Sequence, residues 1–148
     1  MNPQFENLIK VRVSLKNLRS IPKGWTNFTE SLYNNQKNFM LLTGKKNGII
    51  VIDLDNKENK EVPVSVTWFE SVFGKLESVD TLVTRSPNHG YHVFFKYTDK
   101  IKNTLSKKLN VDILSDNKCA FQGEGYPVLV DKPIRELTEN EIKEIEKI

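Results

Sequence analysis

The stretch Ile49-Ile50-Val51-Ile52-Asp53-Leu54-Asp55 decides the fold of this chain. Its first four residues are β-branched and apolar without interruption, which is the pattern of a central strand buried on both faces of a sheet. Two aspartates end the run. Because side chains two residues apart on a strand point to the same side, Asp53 and Asp55 are predicted to project into one small volume where the strand reaches solvent.

This pair of carboxylates has two interpretations. Two anions held close together repel each other, and the usual remedies are a bound divalent cation or a shared proton. Acidic pairs of this kind hold Mg²⁺ or Mn²⁺ in phosphoryl-transfer sites. The alternative is a strand that simply ends in the polar turn Asp55-Asn56-Lys57, with Asp53 capping a backbone amide. Taken alone, the pair does not decide between the two.

The rest of the sequence predicts an α+β fold in one domain. Strands are predicted at residues 39–43, 49–55, 81–84, 91–97, 111–114, 119–122 and 127–130. Helices are predicted at 66–76 from the spacing of apolar residues, in the basic segment 100–109, and at about 138–147, where Thr138 and Glu141 form a capping box. Residues up to about 37 are expected to form loop and short helix, with anchors that pack on the sheet: Pro22, Gly24, Trp25, Phe28 and Tyr33.

Composition limits the class of protein. The 148 residues are 38% hydrophobic and 28% charged, enough to build a real core and unlike a disordered tail. A net charge of +3 is too small for a polybasic binder but allows a locally basic face. Cys119 is the only cysteine, which excludes an intrachain disulfide and a cysteine-based zinc site. With no uninterrupted apolar stretch at the start, we expect a cytoplasmic protein without a membrane partner.

Two further side chains suit chemistry beside the aspartates. His92 begins the strand that follows the polar turn 85–90, where an imidazole could contact a triphosphate or a sugar. The alternative is a half-buried histidine bonded to backbone. Asp112 lies between apolar neighbours in Asn110-Val111-Asp112-Ile113-Leu114. Because burying an unpaired carboxylate is costly, Asp112 faces either solvent or a cation.

The order of these features resembles the archaeo-eukaryotic primase superfamily, and more closely the small primase-polymerase (prim-pol) domains of viral (poxvirus and giant-virus type) and plasmid primase-helicases. The family's three motifs are matched by IIVIDLD (49–55), RSPNHGYHVFF (85–95) and NVDIL (110–114). The approach sequences PKGWTNF (22–28) and FMLLTGKKNGIIVIDLDN (39–56) agree as well. The turn departs from the family's frequent Ser-Gly-Gly, since this chain has Asn88-His89-Gly90 with Ser86 two positions earlier.

The resemblance implies a compact prim-pol catalytic domain over 1–148, with a core at about 22–130 and an RRM-like sheet that carries carboxylates on its central strands between flanking helices. It implies a DNA primase/polymerase, a nucleotidyltransferase that uses two Mg²⁺ or Mn²⁺ ions to synthesise a primer or DNA strand on single-stranded DNA during replication. The implied catalytic and metal-binding residues are Asp53, Asp55 and Asp112. The implied contacts to a nucleoside triphosphate are His92, Ser86, Asn88, Arg85 and Lys45.

The same resemblance extends to partners. A replicative helicase, as a further domain or a separate protein, is the expected partner, and a viral replication compartment fits as the location. The basic stretch Lys100, Lys102, Lys107 and Lys108 fits a template backbone or a plain solvated face. Two other classes stay open. One is a phosphatase of the haloacid-dehalogenase type, and the other is a non-catalytic prim-pol-like domain that binds DNA or docks to a replication partner.

Overall fold

The structure, a computed structural model, describes residues 2–12 and 38–148. Its strands are β1 (Lys10–Arg12), β2 (Asn38–Leu42), β3 (Ile49–Leu54), β4 (Val83–Arg85), β5 (Tyr91–Lys96), β6 (Thr104–Ser106), β7 (Val111–Leu114), β8 (Cys119–Gly123) and β9 (Val128–Val130). The helices are α1 (Val64–Phe73) and α2 (Glu139–Glu146), with short 3₁₀ turns at Pro3–Phe5 and Leu76–Ser78. The predicted α+β class is confirmed. The predicted anchors Pro22, Gly24, Trp25, Phe28 and Tyr33 lie outside the described residues.

The strands form two antiparallel sheets. The larger sheet has six strands in the order β6-β7-β3-β5-β4-β9, and the smaller has three in the order β1-β2-β8. Strand β3 lies between β5 and β7 at the centre of the larger sheet, as its uninterrupted apolar run predicts. Both neighbours of β3 therefore bring their residues beside its terminal aspartates.

The two faces of the larger sheet pack against different layers. On one face Ile50, Ile52 and Leu54 pack with Phe69 of α1 in the main core. On the other face Ile49, Val51 and Phe94 pack with the inner face of the smaller sheet, including Phe39, Leu41 and Ala120. Because side chains alternate along a strand, Asp53 lies on the second face, toward the smaller sheet. This placement separates the aspartate from the helical layer.

Helix α1 is shorter than the predicted helix over 66–76. It begins at Val64, and the chain leaves the helix at Gly74, whose φ of +83° is unfavourable for other residues. Its aromatic face stacks on the sheet, with ring centroids 4.4 Å apart for Phe69 and Phe73 and 5.3 Å apart for Phe73 and Phe95. At the other end of the chain, α2 has the predicted capping box between Thr138 and Glu141.

The predicted helix over 100–109 is wrong. This segment contains the edge strand β6, whose three residues pair with β7, and then a turn that returns the chain at Asn110 with φ +54°. Ile101, Leu105 and Leu109 recur every four positions, a spacing that would place them on one face of a helix, so the local pattern alone does not exclude the helix. Pairing with β7 satisfies its backbone instead. No helix in the described part of the chain is long and apolar enough to cross a membrane.

Candidate active site

Three of the predicted site residues, Asp53, Asp112 and His92, form one row across the larger sheet, which we call the acidic row. Asp53 on β3 lies directly opposite Asp112 on β7 and directly opposite His92 on β5. Residues opposite each other in an antiparallel pair place their side chains on the same face, with Cα atoms about 4.5–5.5 Å apart. The three sequence motifs, which are up to 59 positions apart along the chain, therefore meet at the end of β3.

His92 is buried, with 6% of its surface exposed, and both of its ring nitrogens face side chains. Its Nε2 atom lies 3.3 Å from Oδ1 of Asp53. Its Nδ1 atom lies 2.8 Å from the side-chain amide nitrogen of Gln122 on β8. The ring of Tyr126 lies beside it, 5.6 Å between centroids. The contact with Asp53 ties the histidine to the acidic pair, unlike a histidine that is held only by backbone.

The electrostatics of Asp112 show that the three acidic residues interact. Burial raises the pKa of the Asp112 carboxyl, and the negative charges of Asp53 and Asp55 raise it further. Lys118 and Lys57 oppose the shift with their positive charges. A site that gathers like charges in this way favours a bound cation or a retained proton.

The raised pKa of Asp112 predicts a change in stability with pH. Since the folded state holds the proton more tightly than the unfolded chain, the free energy of unfolding falls as pH rises from the ordinary value of 3.8 through the raised folded pKa. We expect Asp112→Asn to unfold at a higher temperature than the wild type at pH 7 without divalent ions. Thermal unfolding from pH 3 to pH 8 checks this; a variant that is less stable at pH 7 would contradict it.

Asp55 lies immediately after β3, next to the turn that precedes β5. Its backbone N–H donates to the Asn110 carbonyl at 2.9 Å, and its own carbonyl accepts from the Ser65 hydroxyl at 2.7 Å. With Asn88 and His89 it lines a cleft of about 350 Å³. The structure therefore brings Asn88 of the second motif to the aspartate of the first.

A neighbouring cleft of about 440 Å³ is lined by Arg85 and Ser86, together with Asn56, Lys60 and Tyr91 among others. Arg85 is exposed, and its guanidinium lies 5.8 Å from the centre of the Tyr91 ring. Arg85 follows Thr84 on β4, so its side chain starts from the sheet face opposite to His92. It belongs to the same end of the sheet as the acidic row but not to the row itself.

The turn 86–90 is closed by hydrogen bonds of its own and lies against the end of β3. The Ser86 backbone N–H donates to the Gly90 carbonyl at 2.9 Å, and the Gly90 N–H donates to the Ser86 hydroxyl at 3.0 Å. A Cβ atom at Gly90 would collide with the Leu54 carbonyl oxygen. In this structure the Ser86 hydroxyl closes the turn, whereas the Asn88 side chain is exposed on it.

Lys45 is the predicted residue that the structure does not bring to this site. It is exposed in the turn before β3, whereas Asp53 and Asp55 lie at the other end of that strand. At about 3.3 Å per residue, the four residues from Ile49 to Asp53 separate the two ends by roughly 13 Å. The predicted strand over 49–55 already implies this separation, because an extended strand holds its two ends far apart.

Two polar residues of the site carry no signal in the sequence. Gln122 is 1% exposed and comes from the smaller sheet. Thr84 lies directly opposite His92 on β4, is 1% exposed, and its hydroxyl has no hydrogen-bond partner among residues 2–12 and 38–148. Such unsatisfied buried groups are uncommon, and functional sites are one place where they occur. Strand pairing brings Thr84 beside His92, and packing of the two sheets brings Gln122 there.

The donor set suits a hard divalent cation. Carboxylates are the ligands that Mg²⁺ and Mn²⁺ prefer, and Asp53 and Asp112 present two of them from adjacent strands. Across residues 2–12 and 38–148, no group of three or more His, Cys, Asp or Glu side chains is drawn together as a complete ligand set. Two-metal binding by Asp53, Asp55 and Asp112 therefore stays a prediction that the paired carboxylates support.

Comparison with known proteins agrees with the resemblance. No curated protein matches the chain. Residues 14–136 match the Prim-Pol family, described as bifunctional DNA primase/polymerase, N-terminal. This match covers all three motifs and most of the chain, and it gives no support to the phosphatase alternative. The chain, with its three motifs assembled on one sheet face, belongs to the Prim-Pol family.

Proposed function

We propose that this chain is a metal-dependent nucleotidyltransferase that synthesises a primer or a DNA strand on a single-stranded DNA template. The main support for this proposal is one observation. In a member of the Prim-Pol family, Asp53 and Asp112 lie directly opposite each other on adjacent central strands, with His92 on the other side of Asp53. This arrangement places two carboxylates and an N–H donor in one volume.

Each side chain has a task in this proposal. Asp53 and Asp112, with Asp55 two residues after Asp53, would hold the divalent ions, which when bound supply the positive charge for activating a 3′-hydroxyl and for neutralising pyrophosphate. The Nε2–H group of His92, which faces Asp53 at 3.3 Å, would be shared between that carboxylate and a phosphate oxygen of the incoming nucleotide. Asn88, on the turn that lines the cleft with Asp55, would add a second donor. Arg85 and Ser86, in the neighbouring cleft, would contact the far end of the triphosphate.

The template would lie along the edge of the sheet at β6. This strand pairs with β7, and its Leu105 lies directly opposite Asp112 while 57% exposed. Four exposed lysines surround the strand: Lys100, Lys102, Lys107 and Lys108. An apolar side chain next to the acidic row, within a group of cations, suits a strand that needs both base contact and phosphate contact.

Removing this charge should weaken DNA binding in a salt-dependent way. For the variant with Lys102, Lys107 and Lys108 all changed to Ala, we expect the slope of log affinity for single-stranded DNA against log salt to fall by about 2, since each phosphate contact contributes about 0.7. Fluorescence anisotropy at several salt concentrations measures the slope. The matched control changes Lys75, Lys143 and Lys147, which are exposed elsewhere, and should retain the wild-type slope. Equal slopes in both variants would contradict this placement of the template.

The proposal is tested by incorporation of labelled nucleotides on single-stranded DNA with Mg²⁺ or Mn²⁺, before and after chelation. Products that require the divalent ion support it. The competing function is a non-catalytic module that binds DNA or docks to a replication partner. That module would bind DNA equally well after removal of the acidic row and would give no products with either ion.

A further inference from the structure

The histidine of the site is held from a sheet that contains none of the three sequence motifs. Gln122 lies on β8 of the smaller sheet, directly opposite Phe39 of β2, and its side chain crosses to His92 of the larger sheet. The contact of 2.8 Å is buried, and Gln122 itself is 1% exposed. A buried amide on an otherwise apolar inner face, beside Ala120 and Leu41, is costly unless its polar atoms are used. Its use here is the imidazole ring.

The two partners of His92 fix which ring nitrogen carries the proton. The Asp53 carboxylate 3.3 Å from Nε2 is an acceptor, so Nε2 must carry a hydrogen to face it favourably. In a neutral ring Nδ1 then holds the lone pair, and the amide nitrogen of Gln122 donates to it. The set is complementary from end to end: an amide donor, an acceptor nitrogen, a donor nitrogen and a carboxylate.

We propose that Gln122 is the positioning residue of this site: its amide donates to Nδ1, which supports the Nε2–H form that Asp53 requires, and fixes the plane of the ring, so that Nε2–H is directed at Asp53 and at the edge of the nucleotide volume beside it. Tyr126 packs beside the ring and limits its rotation. The role in nucleotide binding rests on the proposed function, whereas the selection of the ring form does not.

The consequence is a specific kinetic signature. Interactions with a triphosphate persist from the ground state into the transition state, so their loss raises KM more than it lowers kcat. For Gln122→Met, which keeps the length of the side chain but removes the hydrogen bond, we expect KM for the nucleotide to rise about tenfold, at the low end of the effect of losing such a supporting partner. We expect kcat to change by less than about threefold.

The first measurement needs no variant. The chain has two histidines, so a ¹⁵N-histidine-labelled protein gives two sets of ring signals, and His89→Gln identifies those of His92. The proposal expects wild-type His92 to carry hydrogen on Nε2 and a lone pair on Nδ1. A wild-type spectrum with hydrogen on Nδ1 and a bare Nε2 would overturn it, whether or not the protein incorporates nucleotides.

The second measurement separates positioning from a structural role. Phe39→Leu weakens the same patch of core, directly opposite Gln122, while leaving the amide and the imidazole in place. We expect Gln122→Met to mix the two ring forms of His92 and to raise KM, and Phe39→Leu to lower the unfolding temperature without either change. Equal effects of the two variants, or a Gln122→Met protein with the wild-type ring form and KM, would overturn the proposal. A wild type that incorporates nothing would instead refute the proposed function.

Discussion

Asp53→Asn and Asp112→Asn are each expected to lower metal-dependent nucleotide incorporation on the order of 10³-fold, the scale of losing a principal electrostatic group in an active site. The two carboxylates lie opposite each other on adjacent strands. An amide at either position therefore leaves a bound cation with one anionic ligand instead of two. Combining the two changes should cost little more than either alone, because residues that act as a unit are not additive. Single-turnover incorporation on a primed template measures the effect.

Stability serves as the internal control for this result. Asp112→Asn relieves the burial and like-charge repulsion that raise the pKa of the wild-type carboxyl, so the inactive variant should not be less stable than the active protein at pH 7. Asp99→Asn is the matched surface change, since Asp99 is exposed in the loop that follows β5, and it should keep full activity. Retention of activity within tenfold in both site variants would contradict the assignment of Asp53 and Asp112.

Gly90→Ala is expected to reduce incorporation by about 100-fold and the free energy of unfolding by about 1–3 kcal/mol. A methyl group at this position would collide with the Leu54 carbonyl oxygen and come within 2.9 Å of the Ser86 hydroxyl. Leu54 separates Asp53 from Asp55 at the end of β3, and Gly90 precedes the strand that carries His92. Forcing the backbone at Gly90 away from the backbone at Leu54 therefore moves His92 and the aspartates relative to each other. A misplacement of about 1 Å can lower activity about 100-fold.

Gly48→Ala is the comparison for this experiment. Nothing lies within 4 Å of a Cβ atom at Gly48, but its φ of +67° makes any other residue strained. The control should therefore lose stability while its activity, corrected for the folded fraction, stays at the wild-type level. If both alanine variants keep wild-type activity, the close approach of Gly90 to β3 does not matter for the site.

The central strand could be predicted from the sequence because it is encoded locally, whereas the membership of the acidic row is implied by the family resemblance. The uninterrupted apolar run at 49–52 is short and wholly β-branched, which is typical of a strand in the middle of a sheet, and the alternation after Gly90 correctly assigned His92 to one face. The spacing of Asp53 and Asp55, together with the ordered motifs, led to the family. The alternation of residues predicted which side chains share a face of the sheet, and the order of the three motifs along the chain indicated the family.

The remaining features depend on pairing between distant segments, which no local pattern encodes. Gln122 adjoins His92 only because the smaller sheet packs across the larger one. The segment 100–109 was predicted as a helix because the sequence does not show that residues 104–106 pair with β7. In segment 100–109, pairing with β7 overrode the local preference.

The most direct test of the central claim is whether synthesis by the wild-type protein follows a template. Homopolymeric single-stranded DNA is offered with Mn²⁺ and each labelled nucleotide in turn, with and without a short primer. The account predicts that a thymine template directs incorporation of adenine nucleotides alone, that a cytosine template directs guanine nucleotides alone, and that chelation abolishes both. Folded protein that binds these templates and yet yields no product, or yields product indifferent to the template base, would contradict it.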